Sequence, residues 1–395
     1  MEAQVLNPQT EPATAPPQQD PIMSLRAGVL PMQWLHRAAH DGWIASSGAP
    51  IEARQFQPSS LDLRLGPVAY RIRSSFLPGQ ETVAAKLRRL TMYELSLEPS
   101  AILERGHAYL IPLLEELALP PYIHGKADPK SSTGRLDIFT RVITDTHSRF
   151  DDVRPGYQGQ LYLEVFSRSF TIQVHHGLSL NQLRLFFDQP RLDDVALSRL
   201  HTVEPLLFDE HNEPIPLDSL HLDGGLFLGV DVSGGPDAIV GYKAKKNSDI
   251  IDLAKERCYD PAAFWEPLYQ RANRPLILEP EDFYILASKE KVCIPPAYAA
   301  ELMAYDTGSG ELRTHYAGFF DPGFGYGRDP HRGTKAVLEV RPHDVPFLVE
   351  DGQLFCKLCL DSTVDIPSRL YGADLNSHYQ SQALTLSKQF LPWPT

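Results

Sequence analysis

The chain has 395 residues, 43% of them hydrophobic and 22% charged, with a formal net charge of −13. This composition is typical of a globular protein with one large domain or two ordinary ones. The negative charge argues against a broad nucleic-acid-binding surface. No apolar run approaches the roughly 18 residues of a membrane helix, and no signal-peptide pattern opens the sequence. Four cysteines do not indicate a disulfide framework. We therefore expect a cytoplasmic protein that binds neither nucleic acid nor membrane.

The N-terminal residues 1–22 are rich in Pro, Gln, Ala and Thr, which predicts a disordered tail. Residues 32–42 follow with helical apolar spacing and a closing glycine. The later segments LDLRL, YLEVF, FTIQV and LRLFF are typical of strands, and the chain contains 34 prolines. These patterns predict a mainly β protein with few short helices.

An internal repeat organises the rest of the chain. Three pairs of residues within similar segments are each separated by 175 positions: Glu104 and Glu279, Pro120 and Pro295, Glu164 and Glu339. A constant offset predicts two copies of one fold. We place copy 1 at 23–205, a connecting arm at 206–256 and copy 2 at 257–395.

A short polar loop in copy 1 has the residues of a phosphate site. The segment DPKSSTGRLD (128–137) offers Lys130, Ser131, Ser132 and Arg135 around Gly134. Cations, hydroxyls and backbone N–H groups in one loop suit a phosphate. A solvated turn is the alternative interpretation, and the Walker pattern is absent.

Glu164 lies in the strand-like segment QLYLEVF that follows the turn at Pro155 and Gly156. Strand alternation places Glu164 on the same face as Gln160 and Tyr162. Such a carboxylate is either exposed on a half-buried strand or held in a pocket.

Four ordered segments of copy 1 carry a resemblance to a known family. QPSSLDLRLG (57–66), SSTGR (131–135), PGYQGQLYLE (155–164) and GLSLNQLRLFF (177–187) resemble successive motifs of the dCTP deaminases. HYQSQALTLSKQ (378–389) resembles the tail that these enzymes fold over the triphosphate. The resemblance implies two tandem dUTPase-like β-barrels of the jelly-roll type.

The resemblance also implies roles for individual residues. Glu164 matches the catalytic glutamate, with Ser131 and Arg135 in support. The residues expected to bind substrate are Lys130, Ser131, Ser132, Arg135, Thr144, Asp145, Tyr157, Tyr242, Lys243, Tyr379 and Gln382. Magnesium is expected to arrive with the triphosphate, without protein ligands. No catalytic zinc is expected, because the P-C-x-x-C of zinc deaminases is missing.

Copy 2 has DTGSGELR (306–313) in place of the paired serines, which predicts a degenerate half that contributes its tail. Glu339 as a second active carboxylate is the alternative. The function expected is deamination of dCTP to dUTP and ammonia by a homo-oligomer, with a trimer favoured and dTTP as a candidate inhibitor. The alternatives are a dUTP diphosphatase, a bifunctional deaminase-diphosphatase and a nucleotide-binding protein without turnover.

Overall fold

The computed structural model describes residues 26–234, 238–269, 276–303, 312–314, 318–327, 332–342, 344–372 and 383–394, with backbone alone at 312–314. The predicted tail at 1–22, together with Tyr379 and Gln382, lies outside these residues.

The first strand set occupies the N-terminal half. Its strands are β1 (Gly28–Val29), β2 (Ile44–Ser46), β3 (Leu61–Arg64), β4 (Val68–Ile72), β5 (Thr91–Ser96), β6 (Ala101–Leu103), β7 (Ala108–Ala118), β8 (Ile123–Pro129), β9 (Ile138–Ile143), β10 (Asp152–Val153), β11 (Gln158–Ser167), β12 (Ile172–Val174) and β13 (Ser179–Phe187). One sheet has the order β5-β4-β7-β11-β9, with β2 beside β7, and another has the order β1-β13-β8-β10, with β3 beside β13.

The second strand set follows the same plan. Its strands are β14 (Leu207–Phe208), β15 (Leu226–Gly229), β16 (Ile239–Ala244), β17 (Ile251–Asp252), β18 (Trp265–Tyr269), β19 (Leu276–Leu278), β20 (Tyr284–Val292), β21 (Tyr298–Met303), β22 (Leu312–Thr314), β23 (Phe319–Phe320), β24 (Thr334–Pro342), β25 (Phe347–Val349) and β26 (Leu354–Ser362). The sheet orders are β18-β16-β20-β24-β22, with β14 beside β20, and β15-β26-β21-β23. Strands β6, β12 and β13 start and end 175 residues before β19, β25 and β26.

Within the described ranges, five short α-helices connect these strands: α1 (Met32–His40), α2 (Val83–Leu90), α3 (Ser131–Gly134), α4 (Asp194–Val203) and α5 (Pro261–Phe264). Helix α1 buries Met32, Leu35 and Ala38 at helical spacing, as its sequence predicts. Gly42 then adopts a φ of +79°, a left-handed conformation that glycine tolerates at a helix end.

The apolar core is shared between the two sets. One cluster fills the first set and continues into the second through Trp265, Phe283, Ile285 and Val337. A second cluster, which includes Leu286 and the other face of β24, lies within the second set. The two sets are therefore joined by buried apolar surface.

The mainly β class with few short helices is confirmed, whereas the barrel form of each copy stays a prediction. The structure differs from the predicted connecting arm at 206–256. Strands β14, β15 and β16 pair within the second set, and β17 pairs with β12 of the first. The reason is that pairing with strands distant in sequence, such as that of β16 with β20, decides the structure of this segment. Among the described residues, no helix is long and apolar enough to cross a membrane.

Candidate active site

The loop Lys130–Arg135 is fixed where β8 ends. Pro129 closes the strand, and the Lys130 amide donates to the Leu180 carbonyl of β13 at 3.0 Å. The Lys130 carbonyl accepts from the amides of Thr133 and Gly134 at 2.8 and 3.0 Å, which starts the single turn of α3. The loop thus holds Ser131, Ser132 and Arg135 close together, as their spacing predicts.

Glu339 of the second set meets this loop. In β24, Ala336, Leu338 and Val340 face the second core, and the intervening residues face the first set. Glu339 is 2% exposed, and a Cβ placed on Gly134 would lie 2.4 Å from Glu339 Oε2. The absence of a side chain at Gly134 therefore gives the Glu339 carboxylate its position against the loop.

A cavity of about 510 Å³ opens between the two sets at this point. The first set contributes Asp62, Arg64, Lys130, Ser131, Ser132, Thr133, Arg135 and Gln182, and the second contributes Phe319, Phe320, Asp321, Phe324, Val337, Glu339 and Tyr371. Its size and its combination of aromatic residues with many convergent polar groups are those of a small-molecule site.

One part of the cavity wall contains four basic side chains, each of which is paired with a carboxylate. Arg54, Arg64, Lys130 and Lys388 all line it. Lys130 pairs with Asp62, a carboxyl whose pKa is raised by burial and held down in part by that lysine. Arg64 is 3% exposed and pairs with Glu115 at 2.8 Å. Several fixed cations in one wall suit a polyanionic ligand.

Another part of the cavity wall is aromatic. Phe320 and Phe324 pack edge to face with ring centroids 4.8 Å apart, and Tyr371 lies 5.7 Å from Phe324. Aromatic faces of this kind suit a planar heterocycle.

Groups of the first set hold this aromatic segment in place. The buried Arg184 guanidinium lies 4.0 Å from the Phe319 ring centroid and donates to the Phe320 carbonyl at 2.9 Å. Asp128 accepts from the amides of Gly318 and Phe319 at 2.6 and 3.1 Å. The segment is therefore positioned across the junction of the two sets.

The C-terminal segment 383–394 contacts the same loop. Arg135 Nη1 donates to the Thr385 carbonyl at 2.9 Å, and Ser387 Oγ donates to the Ser132 carbonyl at 2.7 Å. These contacts agree with the expected position of the tail. Tyr379 and Gln382, the two tail residues predicted to bind phosphate, are outside the described residues.

Glu164 does not lie in this cavity, which corrects the prediction that it joins Ser131 and Arg135. It is 4% exposed and faces away from the first core, on the side of Tyr162 and Phe166. Burial raises the pKa of Glu164, and a hydrogen bond from Ser75 opposes that shift. The physical reason is that residues 73–90 cover this face of β11.

Thr144, Asp145 and Tyr157 also lie outside the cavity lining, contrary to expectation. Thr144 is buried, and Asp145 Oδ1 accepts from the Val83 amide of α2 at 2.6 Å. The Tyr157 hydroxyl accepts from the Asp145 amide and donates to the Gln160 carbonyl. These residues organise the turn beside Glu164.

Tyr242 and Lys243 were expected to form a phosphate-binding arm, and the structure corrects this as well. Both lie in β16, where Tyr242 packs against Trp393 with ring centroids 5.1 Å apart. Lys243 pairs with Asp282 at 2.6 Å. Their surroundings are those of packing and ion-pair residues.

The aromatic residues of the cavity are absent from the site predicted from the sequence, and Glu339 was predicted only as an alternative second carboxylate. The sequence did contain a signal, because Asp321–Phe324 reads DPGF, which resembles the turn before the family's glutamate. DPGF and Glu339 of copy 2 form one half of the cavity, and Ser131 and Arg135 of copy 1 form the other half.

Comparisons with known proteins match both halves of the chain. The family model for the 2'-deoxycytidine 5'-triphosphate deaminase N-terminal domain matches residues 26–189, and the model for the C-terminal domain matches residues 193–390. A dCTP deaminase described as dUMP-forming from Corynebacterium jeikeium is 28% identical over 138 residues, covering 35% of this chain and 70% of that protein. A protein with the same description from Nanoarchaeum equitans is 28% identical over 160 residues, covering 36% of this chain and 76% of that protein.

A solved structure extends the likeness to most of the chain. The crystal structure of 2'-deoxycytidine 5'-triphosphate deaminase from Agrobacterium tumefaciens is 42% identical and matches with a TM-score of 0.80. The match covers 87% of this chain and 99% of that chain.

Proposed function

This chain belongs to the 2'-deoxycytidine 5'-triphosphate deaminase family and is a hydrolytic enzyme that deaminates dCTP, and we propose that Glu339 moves the protons of the reaction. Ser131 and Arg135 of the first strand set act with it. The observation that carries this proposal is the placement of the Glu339 carboxylate against Gly134, inside the cavity that Ser131 and Arg135 line.

The chemistry requires one group that accepts a proton and later returns it. Water adds through its oxygen to C4 of the cytosine, and its proton passes through Glu339 to the ring nitrogen N3. The proton that remains on the added hydroxyl then passes through Glu339 to the exocyclic amine. The C4–N bond breaks, the C4 carbonyl forms, and ammonia leaves. A carboxylate within hydrogen-bond reach serves both transfers. Arg135 and Ser131 orient the water and stabilise the charge that develops.

Two parts of the cavity suit the two ends of the substrate. The aromatic segment around Phe319, Phe320 and Phe324 receives the pyrimidine ring, next to Glu339. The basic part of the wall, through Lys130 and Lys388, receives the triphosphate. Magnesium is held by the phosphate oxygens and supplies charge neutralisation there.

We also infer that the chain arose by internal duplication of a dUTPase-like unit. The support is the repeated sheet order and the offset of 175 residues between equivalent strands. A homo-oligomer, with a trimer favoured, and inhibition by dTTP remain predictions.

Deamination to dUTP is the first candidate for the product, and further hydrolysis to dUMP is the second. The relatives from Corynebacterium jeikeium and Nanoarchaeum equitans are described as dUMP-forming. Chromatography of the products of dCTP with magnesium decides between the two. dUTP with ammonia supports the first candidate, and dUMP with pyrophosphate supports the second.

A matched pair of variants tests the assignment of the carboxylate. Glu339→Gln should lower kcat by at least about 10²–10⁴-fold, because amide nitrogen cannot take up the proton. Glu164→Gln makes the same change at the equivalent position and should keep kcat within about twofold, since surface and packed positions away from the chemistry contribute little to it. An active Glu339→Gln enzyme together with an inactive Glu164→Gln enzyme would contradict the proposal.

A further inference from the structure

Glu164 and Glu339 are equivalent residues of the two strand sets, yet different segments cover them. Glu164 lies in β11 and Glu339 lies in β24, the fourth strands along sheets of the same order. The loop Lys130–Arg135 faces Glu339 from the other set. Residues 73–90 of its own set, here named the cover segment, face Glu164.

The cover segment is bound to the surface around Glu164 through both backbone and side chains. The Gly79 amide donates to the His147 carbonyl at 2.9 Å, and the Glu81 carbonyl accepts from the Thr146 amide at 3.1 Å. Val83 donates its amide to Asp145 as described above. These bonds tie the cover segment to the turn that follows β9.

The side chains of the cover segment close the same face by apolar packing. Val83 and Leu87 of α2 are buried in a cluster that includes Leu110 and Ile143, with Phe76 and Leu90 packed against it. Thr82 caps the helix by accepting from the Ala85 amide at 3.2 Å. Glu164 consequently contacts packed protein where Glu339 contacts a cavity.

The equivalent connection of the second set takes the opposite course. Between β16 and β18, residues 245–264 leave their own sheet, and β17 pairs with β12 of the first set. Leu253, Ala254 and Glu256 then line the cavity. Residues 245–264 of the second set therefore help to build the site around Glu339, whereas the equivalent residues 73–90 of the first set fill the space beside Glu164.

The sequence gives an independent reason why Glu164 would lack the serine-containing loop that a catalytic glutamate requires. The second set carries DTGSGELR (306–313) where the first has KSSTGR (130–135), so paired serines are missing from the loop that would serve Glu164. Both requirements of a second site, an accessible carboxylate and a complete loop, are thus unmet.

We propose that the chain carries one nucleotide site, formed around Glu339, and that the cover segment closes the equivalent position around Glu164. This inference rests on the proposed function, because it takes the cavity at Glu339 as the site of dCTP binding. Glu164 becomes a residue of the packed interior, without a part in catalysis.

Titration calorimetry of the full chain with dCTP and magnesium tests the inference. Glu339→Gln slows turnover during the measurement and should bind one dCTP per chain. Arg135→Ala, which removes a cation of the site at Glu339, should bind none at the same concentrations. Glu164→Gln should keep the kcat of the unaltered enzyme, and thermal unfolding establishes that each variant is folded. If Glu339→Gln does not fold, Ser131→Ala takes its place in the titration.

The possible failures are distinguishable. Two equivalents of dCTP bound to Glu339→Gln, or one equivalent retained by Arg135→Ala, would overturn the single-site inference while Glu339 keeps its catalytic role. Full activity of Glu339→Gln would instead overturn the proposed function.

Discussion

Arg341 and Asp137 form a buried ion pair across the two strand sets, and removing its positive charge should be costly. The side chains are 4% and 0% exposed. Ser169 Oγ donates to Asp137 Oδ2 at 2.6 Å, and Arg341 also donates to the Glu281 carbonyl. Because Arg341→Met takes away the guanidinium that faces a buried carboxylate, we expect a loss of about 3–5 kcal/mol in the free energy of unfolding.

The second change should reverse much of that loss. In Arg341→Met/Asp137→Asn both charges are gone, and asparagine tolerates the φ of +58° at position 137. The double variant should therefore recover at least half of the stability lost by Arg341→Met. Urea unfolding followed by tryptophan fluorescence measures the unaltered chain, the single variants Arg341→Met and Asp137→Asn, and the double variant.

An exposed ion pair across the same junction provides the control. Arg168 and Glu281 lie 2.8 Å apart, with 21% and 63% of their side chains exposed. Glu281→Gln should cost no more than about 1 kcal/mol. If Arg341→Met costs as little as Glu281→Gln, or if the double variant is as unstable as the sum of the single ones, the reasoning about the buried pair is wrong.

The buried pair also bears on activity, because Asp137 is two residues from Arg135 and Arg341 is two residues from Glu339. Arg341→Met should lower kcat, since a displacement of about 1 Å between reacting groups costs about 10²-fold.

Three further predictions concern the charged groups of the site and its surroundings. Burial raises the pKa of Glu164 above its ordinary 4.5, so the folded chain holds this proton more tightly than the unfolded chain does. The free energy of unfolding therefore falls as the pH rises from 4.5 through the raised pKa. Glu164→Gln should therefore raise the melting temperature more at pH 8 than at pH 4, and a larger gain at pH 4 would refute the sign. Arg135→Lys keeps the charge but loses the planar guanidinium that donates to Thr385, and kcat/KM for dCTP should fall about 10²-fold in steady-state assays; an unchanged value would argue against a role for its geometry. Asp128→Ala removes the acceptor for the Gly318 and Phe319 amides and should raise KM about tenfold, with a smaller change in kcat; the reverse pattern would contradict a role in holding the aromatic segment.

Local patterns predicted the parts of this site better than their assembly. The loop around Ser131 and Arg135 follows from its own turn chemistry, and strand alternation correctly places Glu164 on the same face as Tyr162. Which segment covers each face depends on contacts between residues far apart in sequence. The cover segment and residues 245–264 have unrelated sequences, and no periodicity in either indicates the direction in which it folds.

Tyr242 and Lys243 illustrate the same limit. Their polar surroundings in the sequence suggested a mobile arm, but β16 pairs on both edges, with β18 and β20. Pairing partners more than 20 residues away decided the structure of this segment, and composition holds no record of them. The family resemblance could align residues with roles but could not state which copy supplies each role.

The hydrogen bonds that join Thr385 and Ser387 to the loop at 130–135 have a consequence for the synthesis and folding of the polypeptide. Arg135 and Thr385 are 250 residues apart in sequence. During translation, both strand sets emerge and begin to pair before residues 383–394 are synthesised. The contacts of the Tyr259 and Phe264 rings with Phe390 also form only after that segment has been made. A polypeptide that stops before residue 383 would keep most of its strands yet lack the segment that braces Arg135. Loss of the codons for residues 383–395 should therefore produce folded, inactive protein, so that a frameshift at that point would affect catalysis before it affects solubility.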